Sequence, residues 1–244
     1  MKGNIFGKWW LVVLFFGAIL GSGWPEGVWA DSGVAVRVDF ADLEDWRPLT
    51  FPKIPRHSDY RIVELEEGRR VLRVEADKSA SGLVHRQKFD PMVHNVLRWR
   101  WRVENVYRQG DATRKDGDDY PLRVYVLFAY DPQRASLGMR ATYRIARLLY
   151  GEYPPHASLN YIWANREQER RILANPYTDR AVMVIVRWGE NELGRWLTEE
   201  VDILADYRAA FGEDPPREAR LAIMGDADNT GESAVAYLEF IELR

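Results

Sequence analysis

Between Val96 and Val103 every second side chain is large and apolar: Leu97, Trp99, Trp101 and Val103 alternate with Arg98, Arg100 and Arg102. A period of two puts the two sets on opposite faces of an extended strand, one face for a core and one for a polar surface. A helix would scatter both sets around its circumference. This segment therefore commits the chain to β-structure and assigns Trp99 and Trp101 to the interior.

The rest of the chain extends that choice. Residues 122–130 and 181–188 are apolar on nearly both faces and rich in valine, which suits central strands covered on both sides. Further strands are expected at 34–40, 60–65, 71–76, 82–89, 159–163, 220–225 and 234–242, with a hairpin turn at 66–69 between two of them. About ten strands with no βαβ rhythm predict an all-β fold: an antiparallel two-sheet β-sandwich of jelly-roll topology. Two short helical insertions interrupt it. The first, 139–150, places Arg140, Arg144 and Arg147 on one side; the second, 199–211, is stopped by Gly212 and Pro215-Pro216.

At the N-terminus Lys2 and Lys8 precede an apolar run over residues 9–20 and then Val28-Trp29-Ala30. That is the layout of a secretory signal peptide over residues 1–30, since the run is short of the roughly 20 residues a spanning helix needs. The expectation is a periplasmic or secreted product running as one sandwich domain over 31–244, with no stable membrane insertion after cleavage. The chain has no cysteine, which excludes a disulfide framework and a cysteine-linked lipid. Its stability rests on its core, to which ten Trp, twelve Tyr and nine Phe contribute. A formal charge of −3 argues against a nucleic-acid partner.

Several short pieces stand out along this frame. They are the 97–103 alternation, Gly117-Asp118-Asp119-Tyr120 leading into Arg123-Val124-Tyr125-Val126, and Asn160-Tyr161-Ile162-Trp163-Ala164-Asn165. Asn175-Pro176-Tyr177, Asp206-Tyr207 with Phe211-Gly212, and the run from Asp226 to Gly231 complete the set. Together they resemble a bacterial exported family with no assigned activity, domain-of-unknown-function family 3047. The resemblance implies an exported β-sandwich of the galactose-binding-like or carbohydrate-binding-module kind. It supplies no catalytic residues.

Candidate chemistry is therefore read from the residues. Asp226, Asp228 and Thr230 place oxygen at alternate positions before Gly231, as at the opening of a calcium loop. Position twelve of such a loop is Tyr237, which offers no bidentate carboxylate, so the segment reads either as a truncated metal site or as an Asx-type turn between strands. Calcium is the one cofactor this offers. Asp118 and Asp119, with Arg123 following, present carboxylates and a guanidinium that suit either sugar hydroxyls or a loop-end salt bridge. Arg98 and Arg100 form a basic strand face for an acidic glycan or phosphate, or for carboxylates of neighbouring strands. Trp163 between Asn160 and Asn165 reads as a stacking platform or as core, and Tyr153 lies in a proline-bearing loop.

Enzyme signatures are sparse. There is no G-x-S-x-G elbow and no H-E-x-x-H, and His57, His85, His94 and His156 lie at no zinc-ligand spacing. Three readings follow. The leading one is a non-catalytic exported sandwich that binds a glycan or cell-envelope component; the others are a sandwich-fold polysaccharide hydrolase or lyase, and an envelope interaction protein without a small ligand.

Overall fold

The computed structural model describes residues 36–133 and 155–244, together with 135, 138, 140, 143, 144 and 153. The expected signal peptide, and most of the helix expected at 139–150, lie outside the described residues.

Two sheets make up the fold. One runs β11 (Leu197–Asp202), β6 (Val96–Val103), β13 (Ser233–Leu243), β4 (Arg70–Asp77) and β3 (Asp59–Glu64), with β1 (Val36–Val38) pairing with the far end of β13. The other has seven strands: β2 (Trp46–Leu49), β5 (Ala80–Phe89), β12 (Ala219–Asp226), β7 (Arg123–Phe128), β8 (Ala157–Ala164), β10 (Thr178–Trp188) and β9 (Ile172–Asn175). The fold is the β-sandwich expected from the alternation. One pair departs from the antiparallel rule: β8 and β10 run parallel, from Ala181 opposite Ser158 to Trp188 opposite Ala164. Parallel neighbours need a crossover, and here β9 lies within it before turning back to pair antiparallel with β10.

The strand 96–103 forms with the boundaries and faces that its alternation dictates. Trp99 and Trp101 are fully buried and meet Tyr161 and Trp163 of β8 at ring-centroid distances of 5.5 and 5.8 Å. This aromatic contact joins the two sheets. The seven-stranded sheet is covered on its outer face as well. Ala112 and Tyr120 pack there with Ile162, Ala164, Met183 and Ile185, which explains why β8 is buried along its whole length.

Three strands were not foreseen: β2, β9 and β11. The helix expected at 199–211 begins only at Ile203, as α1 (Ile203–Phe211), because 197–202 pairs with β6 from Leu197 opposite Trp101 to Asp202 opposite Val96. Asp202 ends the strand and caps the helix, its carboxylate accepting from Ala205 N at 3.0 Å and from Asn95 Nδ2 at 3.0 Å. Gly212 closes the helix with φ at +71°, as its position predicts. Among the described residues no helix is long and apolar enough to cross a membrane.

Candidate functional site

Four of the short sequence pieces singled out above converge. Asp118 and Asp119 end the 105–120 loop just before β7, Asp226 ends β12, Asn175 ends β9, and Asn165 follows β8. Asp226 Oδ1 accepts from Arg123 Nε at 3.0 Å and from Tyr120 N at 3.1 Å, while its Oδ2 takes Arg123 NH2. Arg123 also donates to the Asp118 carbonyl at 2.8 Å, and Asp118 Oδ2 takes Asn175 Nδ2 at 3.1 Å. The Asp119 carboxylate is capped by the 226–231 turn, accepting from Asn229 N (3.0 Å), Thr230 N (2.6 Å) and Asn229 Nδ2 (2.8 Å). Asn165 bridges the loop, taking Tyr107 N at 2.8 Å and donating to the Asp119 carbonyl at 2.8 Å.

Local backbone demands explain two of the glycines. A Cβ on Gly117 would lie 2.6 Å from Asp111 N, so only glycine lets the loop fold back on itself. Gly231 closes the turn at φ +69°, donating to the Ala227 carbonyl at 3.0 Å.

The electrostatics of this knot are lopsided. Asp118, Asp119, Asp226 and Arg123 are all buried, so three carboxylates face one guanidinium. Burial opposes the charge on Arg123, but Asp226, with Tyr125, Asp118 and Tyr120, outweighs it and holds the guanidinium well above its ordinary pKa. Burial also pushes the Asp226 carboxyl up; Arg123 pulls it down, and Asp119 and Asp118 push it up again, leaving it well above the usual range.

The calcium expectation is reshaped by these contacts. Asp226 and Asp228 come together with Asp119, one carboxylate oxygen of each lying within 4.8 Å of the others. Thr230 takes part through its backbone N–H instead of its hydroxyl. Glu232, the acid available to complete the loop, accepts from Arg108 N and Gln109 N at 3.1 and 2.9 Å. A cation from the chain itself, Arg123, already occupies Asp226.

The other expected site residues are scattered. Trp163 is fully buried against Trp101, with its Nε1 donating to the Gly189 carbonyl at 2.9 Å, so it cannot act as a sugar-stacking platform. Asn160 is 2% exposed and takes Ser158 Oγ at 3.1 Å. Tyr153 rests against Tyr130, with ring centroids 5.1 Å apart. Arg98 and Arg100 lie on the outer face of the six-stranded sheet, where neighbours on β13 engage them. Arg100 pairs with Glu239 at 3.1 Å, and the Arg98 guanidinium lies 5.5 Å over Phe240.

An open cleft of about 430 Å³ lies elsewhere, between the C-terminal part of β10, strand β11 and the connection leading to β9. Trp188 lines it at 49% exposure. Around it stand Gln168, Arg170 and Glu200. None of these four side chains has a hydrogen bond, ion pair or ring contact among the described residues. The cleft's other charged groups are committed. Arg171 forks onto Asp206 of α1, and Glu199 takes Trp101 Nε1 at 3.1 Å and Arg187 Nε at 2.8 Å. Glu199 and Glu200 are consecutive on β11 and so point to opposite faces of the strand. The cleft's two carboxylates do not face each other as an acid pair would. Trp188 stands last in the apolar run 181–188, just before Gly189, and that position is the signal in the sequence that it is exposed.

Comparison with known proteins adds a family and a set of distant folds. The sequence profile of a family described as "Protein of unknown function (DUF3047)" matches residues 44–242. No curated protein matches the sequence. Among solved structures, a family 11 carbohydrate-binding module from Clostridium thermocellum, in complex with a β-1,3-1,4-mixed-linked tetrasaccharide, is 12% identical with a TM-score of 0.37. The match covers 84% of this chain and 92% of that one. A family 30 carbohydrate-binding module from the same organism is 9% identical at TM-score 0.39, with 78% and 83% coverage. Lectin I-B4 from Griffonia simplicifolia, in metal-free form, is 10% identical at TM-score 0.38, with 86% and 99% coverage. At such scores their ligands say nothing about this chain.

Proposed function

The chain belongs to the DUF3047 family, which has no activity to pass on, and we propose that it is a non-catalytic β-sandwich that binds a glycan in the cleft over Trp188. The observation that carries this is a half-exposed indole in no hydrogen bond or ring contact among the described residues, standing beside the equally unengaged Gln168 and Arg170. A sugar ring presents C–H groups that stack on an aromatic face and hydroxyls that need both donors and acceptors. Arg170 donates, and Gln168 both donates and accepts. The cleft volume of about 430 Å³ falls within the range for small-ligand pockets. Periplasmic or secreted placement belongs to the same proposal, supported by the leader-like N-terminus.

The test is a panel of envelope and plant-type polysaccharides read for both binding and product formation. Saturable binding without product is expected. Trp188→Ala should weaken it about tenfold or more, as loss of a central aromatic anchor does, with a small change in melting temperature because the side chain is half-exposed. Equal binding by Trp188→Ala, or no binding across neutral and acidic glycans, would overturn the proposal. Release of shortened products would replace it with the hydrolase or lyase reading.

A further inference from the structure

The charged side chains around Trp188 are not equally available to a ligand. The cleft lining holds two guanidiniums, Arg170 and Arg171, and two carboxylates, Glu199 and Glu200. Arg171 is forked onto Asp206, with NH2 at 3.0 Å from its Oδ2. Glu199 turns inward, where its carboxylate accepts from the buried Trp101 at 3.1 Å and from Arg187 Nε at 2.8 Å. Glu200 is the next residue on β11, so it turns to the outer face of the six-stranded sheet, in register with Arg98.

Arg170 is the charge that remains. It is exposed, and among the described residues it has neither an acidic partner nor a hydrogen bond. Acids stand close to it in the chain, at Glu167 and Glu169. Neither of them lines the cleft, whereas Gln168 and Arg170 both do. The connection leading to β9 thus delivers an amide and a guanidinium to the cleft wall and keeps its carboxylates off it.

We infer that the glycan taken by this cleft is an acidic one, a sugar ring carrying a single oxyanion, carboxylate or sulfate, at its edge. The inference rests on the glycan reading of the cleft and narrows it to a substrate class. The C–H face of the ring stacks on Trp188, its hydroxyls reach Gln168, and the oxyanion meets Arg170. A guanidinium is a planar fork whose parallel N–H groups match two oxygens of one anion, and a neutral hydroxyl fills only half of it. The incoming charge also meets no unanswered carboxylate from β11, since Glu199 is neutralised by Arg187 and Glu200 faces away. A neutral or cationic sugar would leave Arg170 in water and gain nothing from it.

Calorimetric titration of the whole protein at constant ionic strength tests this with matched pairs of probes: oligogalacturonate and its uncharged methyl ester, and a sulfated galactan oligosaccharide and its desulfated counterpart. At least one acidic probe should bind saturably and about threefold to tenfold tighter than its uncharged counterpart, the range between an exposed ion pair and a charge-assisted hydrogen bond. The pair that shows the difference distinguishes carboxylate from sulfate. Arg170→Gln should remove the preference and leave the melting temperature close to wild type, because the exposed side chain has no hydrogen bond or ion pair to lose. Arg98→Gln, on the outer face of the other sheet, should leave the preference intact. Equal binding of charged and uncharged partners, still weakened by Trp188→Ala, would overturn this inference and leave the glycan reading standing. Binding that Trp188→Ala does not weaken would overturn both. No binding of any probe would overturn the inference, and the wider polysaccharide panel then decides the glycan reading on its own. An acid preference that survives Arg170→Gln, or that Arg98→Gln abolishes, would put the anion elsewhere on the surface and overturn the inference as well.

Discussion

Replacing Arg123 with methionine keeps the bulk of the side chain and removes the one cation that the buried carboxylates share. Asp226 would then be left charged inside the protein with only Tyr120 N donating to it. Breaking a buried ion pair from one side costs about 3–5 kcal/mol. For a chain of this size each kcal/mol shifts the melting temperature by about 2–4 °C, so a fall of roughly 6–20 °C is expected. The pH dependence has a definite sign. Burial already raises the Asp226 pKa, and losing Arg123 removes the pull that opposes the rise. The folded state then holds this proton more tightly than the unfolded state, so stability falls as pH rises from about 4, the ordinary carboxylate range, to the folded value. The deficit of Arg123→Met should therefore shrink in acid. Adding Asp226→Asn removes the stranded charge while keeping an acceptor for Tyr120 N, and should recover at least half of the loss. Melting curves of wild type, both single variants and the double variant between pH 4 and 8 form the assay. A loss below about 1 kcal/mol, the size of an exposed pair, or no recovery in the double variant would refute the reasoning.

Other expectations follow from single contacts. Asp202→Ala should cost about 1 kcal/mol by uncapping α1, whereas Asp202→Asn should cost little. Burial opposes the charge on Asp202, but the bonds from Ala205 and Asn95 outweigh it and lower its pKa. That contribution is therefore complete above the ordinary carboxylate range and lost as pH falls through the folded value, so the Asp202→Ala and wild-type stabilities should converge in acid. Trp163→Ala should cost about 3–5 kcal/mol in denaturant titration by opening a cavity between the sheets. Gly117→Ala should cost about 1–3 kcal/mol, because the new methyl meets Asp111 N at 2.6 Å. Either substitution behaving as wild type would contradict the packing described.

The parts of the fold that were legible are those where one period acts alone. Strand β6 could be placed to the residue because four apolar and three charged side chains alternate without interruption. Strand β11 was hidden because Glu199 and Glu200 lead into a true helix. Only its partners Trp101, 98 residues away, and Arg187 on another strand show why Glu199 is buried. Strands β2 and β9 have four residues each, too few to display a period. At the candidate sites the residue types were visible and their company was not. Asp118, Asp119, Arg123, Asn165 and Asp226 were each singled out, yet their joining into one knot depends on sheet order. Trp163 and Trp188 both end apolar runs. The packing of the opposite sheet, which buries one and leaves the other open, is written in strands elsewhere in the chain.

The knot around Arg123 also has a consequence for the order of events in folding. Arg123 and Asp226 are 103 residues apart, and Asp119 waits for amides near position 230. Closing so large a loop carries an entropic cost that only distant contacts can repay, and such topologies fold slowly. Until β12 has been synthesised and docked, the 118–123 segment holds two acids and an arginine without their permanent partners. The residues that give the chain its family signature therefore act as its final latch, and a nascent or truncated chain ending before Asp226 would carry that latch open.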